Sequence, residues 1–107
     1  MNMNEYQERA AKTAVYPKDK ALEYLALGLV SEAGEVAGKV KKYLRGDDVT
    51  FGELRDQLEA ECGDVIWYLA QLNDLMGVPL GDIAQTNLQK LTDRKARGKL
   101  TGNGDNR

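Results

Sequence analysis

Glu32 with Glu35, and Glu61 with Asp64, form two pairs of acids spaced three residues apart. Both pairs lie inside stretches that otherwise read as apolar helix, "GLVSEAGEVAGKV" and "LEAECGDVIWYL". Positions i and i+3 project from the same side of a helix, so each pair presents two carboxylates together. At 100° per residue, Glu32 and Glu61 fall roughly 40 to 60° from the centre of their apolar lines, with Glu35 and Asp64 further round. Like charges at this spacing cost about 0.2–0.5 kcal/mol even in water. Partial burial of all four costs far more unless something neutralises them. One resolution is solvent, or ion pairs with Lys39, Lys42, Arg55 or Arg94. The other is a divalent cation.

The absence of histidine narrows the chemistry. Ser-His and Cys-His nucleophilic mechanisms need an imidazole within the chain, and none exists. Glu-x-x-His di-iron bundles and histidine-containing zinc sites are excluded for the same reason. A site built from carboxylates alone suits magnesium, manganese or calcium. Magnesium takes six oxygens, keeps several waters, and is often completed by a substrate phosphate.

The elements that must position these acids are helical, because the apolar period is helical and no strand alternation occurs. The spacing predicts a first helix over about residues 4 to 15, stopping before Pro17. A second starts after Asp19 as N-cap and runs to about Arg45, with Gly46 as its stop. Its apolar line is Leu22, Leu25, Leu29, Ala33, Val36, Val40 and Tyr43. Thr50 and Glu53 form a capping box for a third helix, lined by Phe51, Leu54, Leu58, Cys62, Val65, Leu69, Leu72 and Met76 and ended by Gly77. Pro79 opens a fourth, which runs to about Lys95. Residues 1–96 thus read as one all-α, four-helix bundle-like domain, and 97–107 as a polar, glycine-rich tail.

Leu27, Val30, Ile66 and Trp67 lie away from those apolar lines and predict a second buried face. A domain of 107 residues buries both faces of its central helices by self-association. A homo-oligomer, dimer or tetramer, is therefore expected. Net charge is -2, so no global field draws the chain to polymeric nucleic acid or to a membrane. No apolar run reaches the ~20 residues of a membrane span. The N-terminus is polar, and Cys62 is the single cysteine, which suits a reducing cytoplasm.

The fourth helix supplies the opposite charge. Lys90 and Arg94 fall near its line of Leu80, Ile83, Ala84 and Leu91, where they can meet phosphate oxygens or pair with carboxylates of the bundle. Lys39 follows Glu35 by one turn and can orient that acid or meet phosphate. Tyr68 follows Asp64 by one turn and offers a ring that is either core or a face for a base. Trp67 reads as interface.

"SEAGEV" followed by "EAECGDVIWYL" resembles the Glu-x-x-Glu and Glu-x-x-Asp motifs of MazG-like nucleotide pyrophosphohydrolases, in the all-α NTP pyrophosphatase superfamily. "NLQKLTDRKARGKLTGNGDNR" is similar to the family's Asn-x-x-Lys segment and basic tail, so the resemblance runs from Tyr6 onward. It departs at Ser31, where many members carry a further Glu. The resemblance implies that Glu32, Glu35, Glu61 and Asp64 hold magnesium, with manganese as a substitute. It further implies hydrolysis of a nucleoside triphosphate, a dNTP or a non-canonical NTP, to monophosphate and pyrophosphate. Glu35, with Glu32, is then the expected catalytic pair, Glu35 serving as general base because it lies furthest from the apolar centre. Tyr68 and Asn87 are implied to approach the nucleotide, with Lys39, Lys90 and Arg94 as further substrate contacts. The competing reading is a non-catalytic helical oligomer that binds a partner through its second apolar faces.

Overall fold

The computed structural model describes all 107 residues, and they form four α-helices with no strand. Helix α1 spans Met3–Ala11. Asn2 caps it, its Oδ1 accepting from the Glu5 backbone N–H at 2.8 Å. α1 ends four residues earlier than the sequence predicts. Thr13 explains this, because its hydroxyl donates to the Ala10 carbonyl at 2.7 Å and accepts from the Trp67 indole N–H at 2.8 Å. A threonine hydroxyl used this way competes with continued helix.

Helix α2 spans Ala21–Arg45 and is preceded by a 3-10 turn at Lys18–Lys20. Asp19 lies within that turn and does not cap α2, which has no side-chain cap at Lys20. Gly46 ends α2 at φ 90°, a left-handed conformation that favours glycine. Arg45 grips Asp47 with both nitrogens of its fork, at 2.8 and 2.7 Å, and so closes the tight connection. Helix α3 spans Phe51–Leu75, with Thr50 Oγ1 accepting from the Glu53 N–H at 3.1 Å. Gly77 follows at φ 72°.

Helix α4 spans Leu80–Ala96, and Pro79 at its start offers no side-chain cap. Helix α1 supplies one instead. Gln7 Oε1 accepts from the Leu80 N–H at 2.9 Å, and Asn4 Oδ1 accepts from the Gly81 N–H at 2.8 Å. The buried Gln7 amide also donates to the carbonyls of Ala70 at 3.2 Å and Val78 at 3.0 Å. One side chain thus satisfies the Leu80 N–H and the Val78 carbonyl at the helix junction, and adds a bond to the Ala70 carbonyl inside α3.

The short connection folds α2 and α3 into an antiparallel hairpin, and α1 lies against α3. α4 touches α1 and α3 but not α2, so the chain spreads into an open shape. Its radius of gyration is 16.8 Å, where a compact domain of this length has about 13 Å. Only 10 of 107 residues are buried, which leaves the hairpin with a wide apolar exterior.

That exterior corrects the expected core. On α2 the inner line is Ala21, Leu25, Gly28, Glu32, Val36, Lys39 and Tyr43, all buried or half-buried. Leu22 and Ala33 of the predicted line are exposed. On α3, Leu54, Leu58, Glu61, Val65, Tyr68 and Gln71 turn inward, while Phe51, Cys62, Leu69 and Met76 are exposed. Ala33, Cys62 and Leu69, read as core, instead join Ile66 around an open apolar groove of about 420 Å³ that the half-buried Val36 and Val65 also line. Trp67, read as interface, is half-buried within the chain and donates to Thr13, tying the segment after α1 to α3. Leu27 and Val30 are each 71% exposed.

Candidate active site

The inward rotation of both helices carries acids into the hairpin. Carboxylate oxygens of Glu32, Glu61 and Asp64 lie within 4.8 Å of one another, with Glu32 and Glu61 half-buried and Asp64 exposed. Glu32 sits one turn beyond Gly28 on α2, and Glu61 and Asp64 face it from α3. Burial pushes the Glu32 carboxyl above its ordinary value, and the charges of Asp64, Glu61 and Glu35 push it further the same way. Glu35 is exposed and stands outside the three-way convergence, although its charge reaches Glu32.

No cation answers these acids. The chain's ion pairs are Arg45–Asp47, Arg55–Asp56, Lys90–Asp105, Arg94–Asp105 and Arg97–Asp93. None includes Glu32, Glu35, Glu61 or Asp64, so the pairing with Lys39, Lys42, Arg55 or Arg94 that would neutralise them is not made. Lys39 is half-buried one turn after Glu35 and takes part in no ion pair. Three convergent, uncompensated carboxylates fit a hard divalent cation by donor type, since every ligand atom is oxygen.

Aromatic rings close one end of this cluster. Tyr68 lies one turn after Asp64, with Trp67 edge-on at 5.0 Å and Tyr24 tilted at 6.3 Å. Tyr16 stacks on Tyr24 at 5.8 Å, and the Lys18 ammonium sits 4.3 Å above the Tyr16 ring. Burial raises the Tyr68 phenol's pKa, as do Tyr24 beside it and the charges of Glu32 and Asp64. Tyr6, on α1, is raised by burial and by Asp64. Sequence reasoning missed both Tyr6 and Tyr24. No spacing rule connects Tyr6 to the acids, because α1 reaches the site through its packing on α3. Tyr24, by contrast, stands two turns before Glu32 on α2, and that i, i+4, i+8 spacing was the available signal.

The α4 residues do not join the acids in this chain. Asn87 lines a groove with Met3, Ile66, Leu69, Ile83 and Ala84. Lys90 and Arg94 converge on the tail instead: Asp105 Oδ1 stands 3.3 Å from Lys90 Nζ and 3.4 Å from Arg94 Nη2. Arg94 is 4% exposed and also donates to the Asp105 carbonyl. Arg107 fastens the tail through the carbonyls of Lys99, Leu100 and Gly104. Hydrogen bonding and charge from Lys90, then from Arg94, hold the Asp105 carboxyl below its ordinary range.

The chain is all-helical, with a carboxylate-only cluster on its central hairpin and cations on a separate helix. Comparison gives the particular family. The model of the MazG nucleotide pyrophosphohydrolase domain matches residues 20–98, and the chain belongs to that family. The match spans α2 to α4 and holds all nine candidate site residues, and it leaves α1 and most of the tail outside. The Gene 37 protein of Mycobacterium phage L5 is 49% identical over the full length of both chains. The uncharacterized protein YvdC of Bacillus subtilis (strain 168) is 34% identical, covering 86% of this chain and 88% of its own. No solved structure matches the chain. No helix is long and apolar enough to cross a membrane.

Proposed function

We propose that the protein is a magnesium-dependent nucleoside triphosphate pyrophosphohydrolase that converts a dNTP or a non-canonical NTP to monophosphate and pyrophosphate in the cytoplasm. The observation that carries this reading is the convergence of Glu32, Glu61 and Asp64 within 4.8 Å with no cationic partner, in a chain of the MazG family. These three acids, with Glu35 at the rim, hold the metal, and manganese can replace magnesium. Bound magnesium supplies neutralisation of phosphate charge and acidification of a water. Glu35, exposed beside Glu32, accepts the proton of the attacking water as general base. Water attacks the α-phosphorus, the bond from that phosphorus to the bridging oxygen breaks, and pyrophosphate leaves. Tyr68 borders the nucleoside, Lys39 steadies Glu35 or a phosphate oxygen, and Asn87, Lys90 and Arg94 contact the phosphates.

The working unit is a homo-oligomer, dimer or tetramer. Its support is the apolar surface that the hairpin leaves exposed, both around Ile66 (37% exposed) and at Leu27 and Val30 elsewhere on α2 (each 71% exposed). Interfaces of obligate oligomers resemble a core cut in half, and this surface has that composition.

A panel of canonical and modified dNTPs, separated chromatographically after incubation with magnesium, tests the activity. Monophosphate and pyrophosphate are expected from a particle that light scattering places at no less than twice 11.8 kDa. Release of diphosphate and inorganic phosphate, or no magnesium requirement, overturns the reaction assignment. A monomer mass overturns the oligomer.

A further inference from the structure

Helix α2 carries three glycines, Gly28, Gly34 and Gly38, none with a positive φ. Backbone conformation therefore requires none of them, and glycine in a helix interior is weaker than alanine. Gly34 and Gly38 have nothing within 4 Å of where a Cβ would stand. Gly28 differs. A Cβ there would lie 2.1 Å from Cε1 of Tyr68, 2.5 Å from its Cζ and 2.7 Å from its Cδ1. The phenol ring fills the space of the missing side chain and rests on the α2 backbone.

This contact lies one turn from the acids on both helices: Gly28 precedes Glu32 by four residues, and Tyr68 follows Asp64 by four. The ring cannot easily turn aside. Trp67 stands edge-on to it at 5.0 Å with an interplanar angle of 82°, and Tyr24 lies at 6.3 Å on α2. Trp67 is itself tied to Thr13 at 2.8 Å. An added methyl must therefore push α2 from α3, or push Tyr68 toward the carboxylates.

We infer that Gly28 is a positioning residue for the metal site: by admitting the Tyr68 ring into the α2 backbone, it sets the α2–α3 separation at which Glu32, Glu61 and Asp64 converge. Gly28 touches neither metal nor substrate and acts through the spacing of the ligands. The inference rests on the metal-site reading above.

Titration calorimetry with magnesium chloride alone, on the full chain, tests it. Gly28→Ala is expected to weaken magnesium binding at least tenfold per folded molecule, with a changed near-ultraviolet circular dichroism from Trp67 and Tyr68. Gly38→Ala, the same change on the same helix without a contact, is expected to bind as the wild type does. Gly28→Ala/Tyr68→Ala removes every ring atom that the methyl would meet and is expected to bind magnesium within threefold of Tyr68→Ala. This double variant decides the question if Gly28→Ala alone does not fold. Wild-type binding by Gly28→Ala, or a double variant no better than Gly28→Ala, overturns the inference alone. A wild-type protein that binds no magnesium overturns the metal reading, and the inference with it.

Discussion

The hairpin and the fourth helix each gather charge, and they treat it oppositely. On the hairpin, Glu32, Glu61 and Asp64 meet with no cation in reach. On α4, Lys90 and Arg94 meet over a carboxylate from the same chain, Asp105. The second arrangement is complete in itself, because the almost fully buried Arg94 has both a carbonyl and a carboxylate to donate to. The first arrangement is open, and like charges held together in partial burial favour any ligand that brings positive charge. The two clusters therefore differ in what each lacks. The hairpin has acids without a cation, whereas the cations of α4 already hold an anion of their own chain.

Removing one acid breaks this contrast most severely. Glu61→Gln keeps the volume, the helix propensity and one oxygen, but it deletes a charge. Hydrolysis is expected to fall by orders of magnitude, because activation of water and neutralisation of phosphate both depend on the metal. The metal-free variant is expected to melt at a higher temperature than the wild type, since repulsion among the acids is relieved. Magnesium at 100 times its dissociation constant stabilises a binding-competent fold by about 2.7 kcal/mol, and the variant should lose most of that gain. Thermal melts of both proteins with and without magnesium check all three points. Retained magnesium-dependent activity, or a melting temperature insensitive to magnesium in the wild type, removes Glu61 from the site.

How far such a site can be read from sequence depends on which forces are local. Gly46, Thr50 with Glu53, and Gly77 are legible because caps and left-handed turns depend on neighbours only a few residues away. The i,i+3 acids are legible because helical spacing is local too. The inner face was read only in part. Leu25, Leu29, Val36, Val40 and Tyr43 of α2 and Leu54, Leu58, Val65 and Leu72 of α3 are buried or half-buried. Leu22, Ala33, Phe51, Cys62, Leu69 and Met76 are exposed, because counting apolar residues does not tell an inner face from an apolar exterior. Ala33, Cys62, Ile66 and Leu69 line an exterior groove instead, whose floor is shared with the half-buried Val36 and Val65. The true contact line includes Gly28, Glu32, Glu61 and Gln71, which hydropathy does not mark. Gln7 and Asp105 were illegible for another reason. Gln7 bonds to Ala70, Val78 and Leu80, more than sixty residues away in the chain, and no sequence pattern announces such pairing. The tail reads as irregular, and only the folded chain brings Asp105 onto Lys90 and Arg94.

Arg94→Ala tests the other half of the comparison with a smaller effect. The change leaves Asp105 with Lys90 alone and removes a guanidinium that can grip a phosphate. Hydrogen bonds to charged groups contribute about 1.5–3 kcal/mol, so KM should rise roughly tenfold to a hundredfold. Near-constant kcat would identify ground-state phosphate binding. A collapsed melting temperature with normal kinetics per folded molecule would instead make Arg94 a structural partner of the tail, and α4 would contribute no substrate contact through it.

The smallest effect separates the two clusters by the sign of their response to pH. Glu32 is raised above its ordinary value by burial, then by Asp64, Glu61 and Glu35. Between its ordinary and its raised value, the folded chain binds more protons than the unfolded one, so metal-free stability falls as pH rises through that window. Asp105 is lowered, by hydrogen bonding and charge from Lys90 and then Arg94. Below its ordinary value the docked tail binds fewer protons than the free tail, so docking is full above that value and is lost as pH falls through the depressed one. Acidifying the magnesium-free protein should thus stabilise the hairpin first and release the tail later. Amide resonances of the tail and of α3, followed in one nuclear magnetic resonance titration, report both transitions. Asp105 is exposed, so added salt should weaken the tail's docking, while the half-buried Glu32 is screened less. Glu61→Gln should move the Glu32 midpoint down and leave that of Asp105 unchanged. A Glu32 midpoint indifferent to Glu61 would mean that the acids do not act on one another, and the contrast between an open and a closed cluster would fail with it.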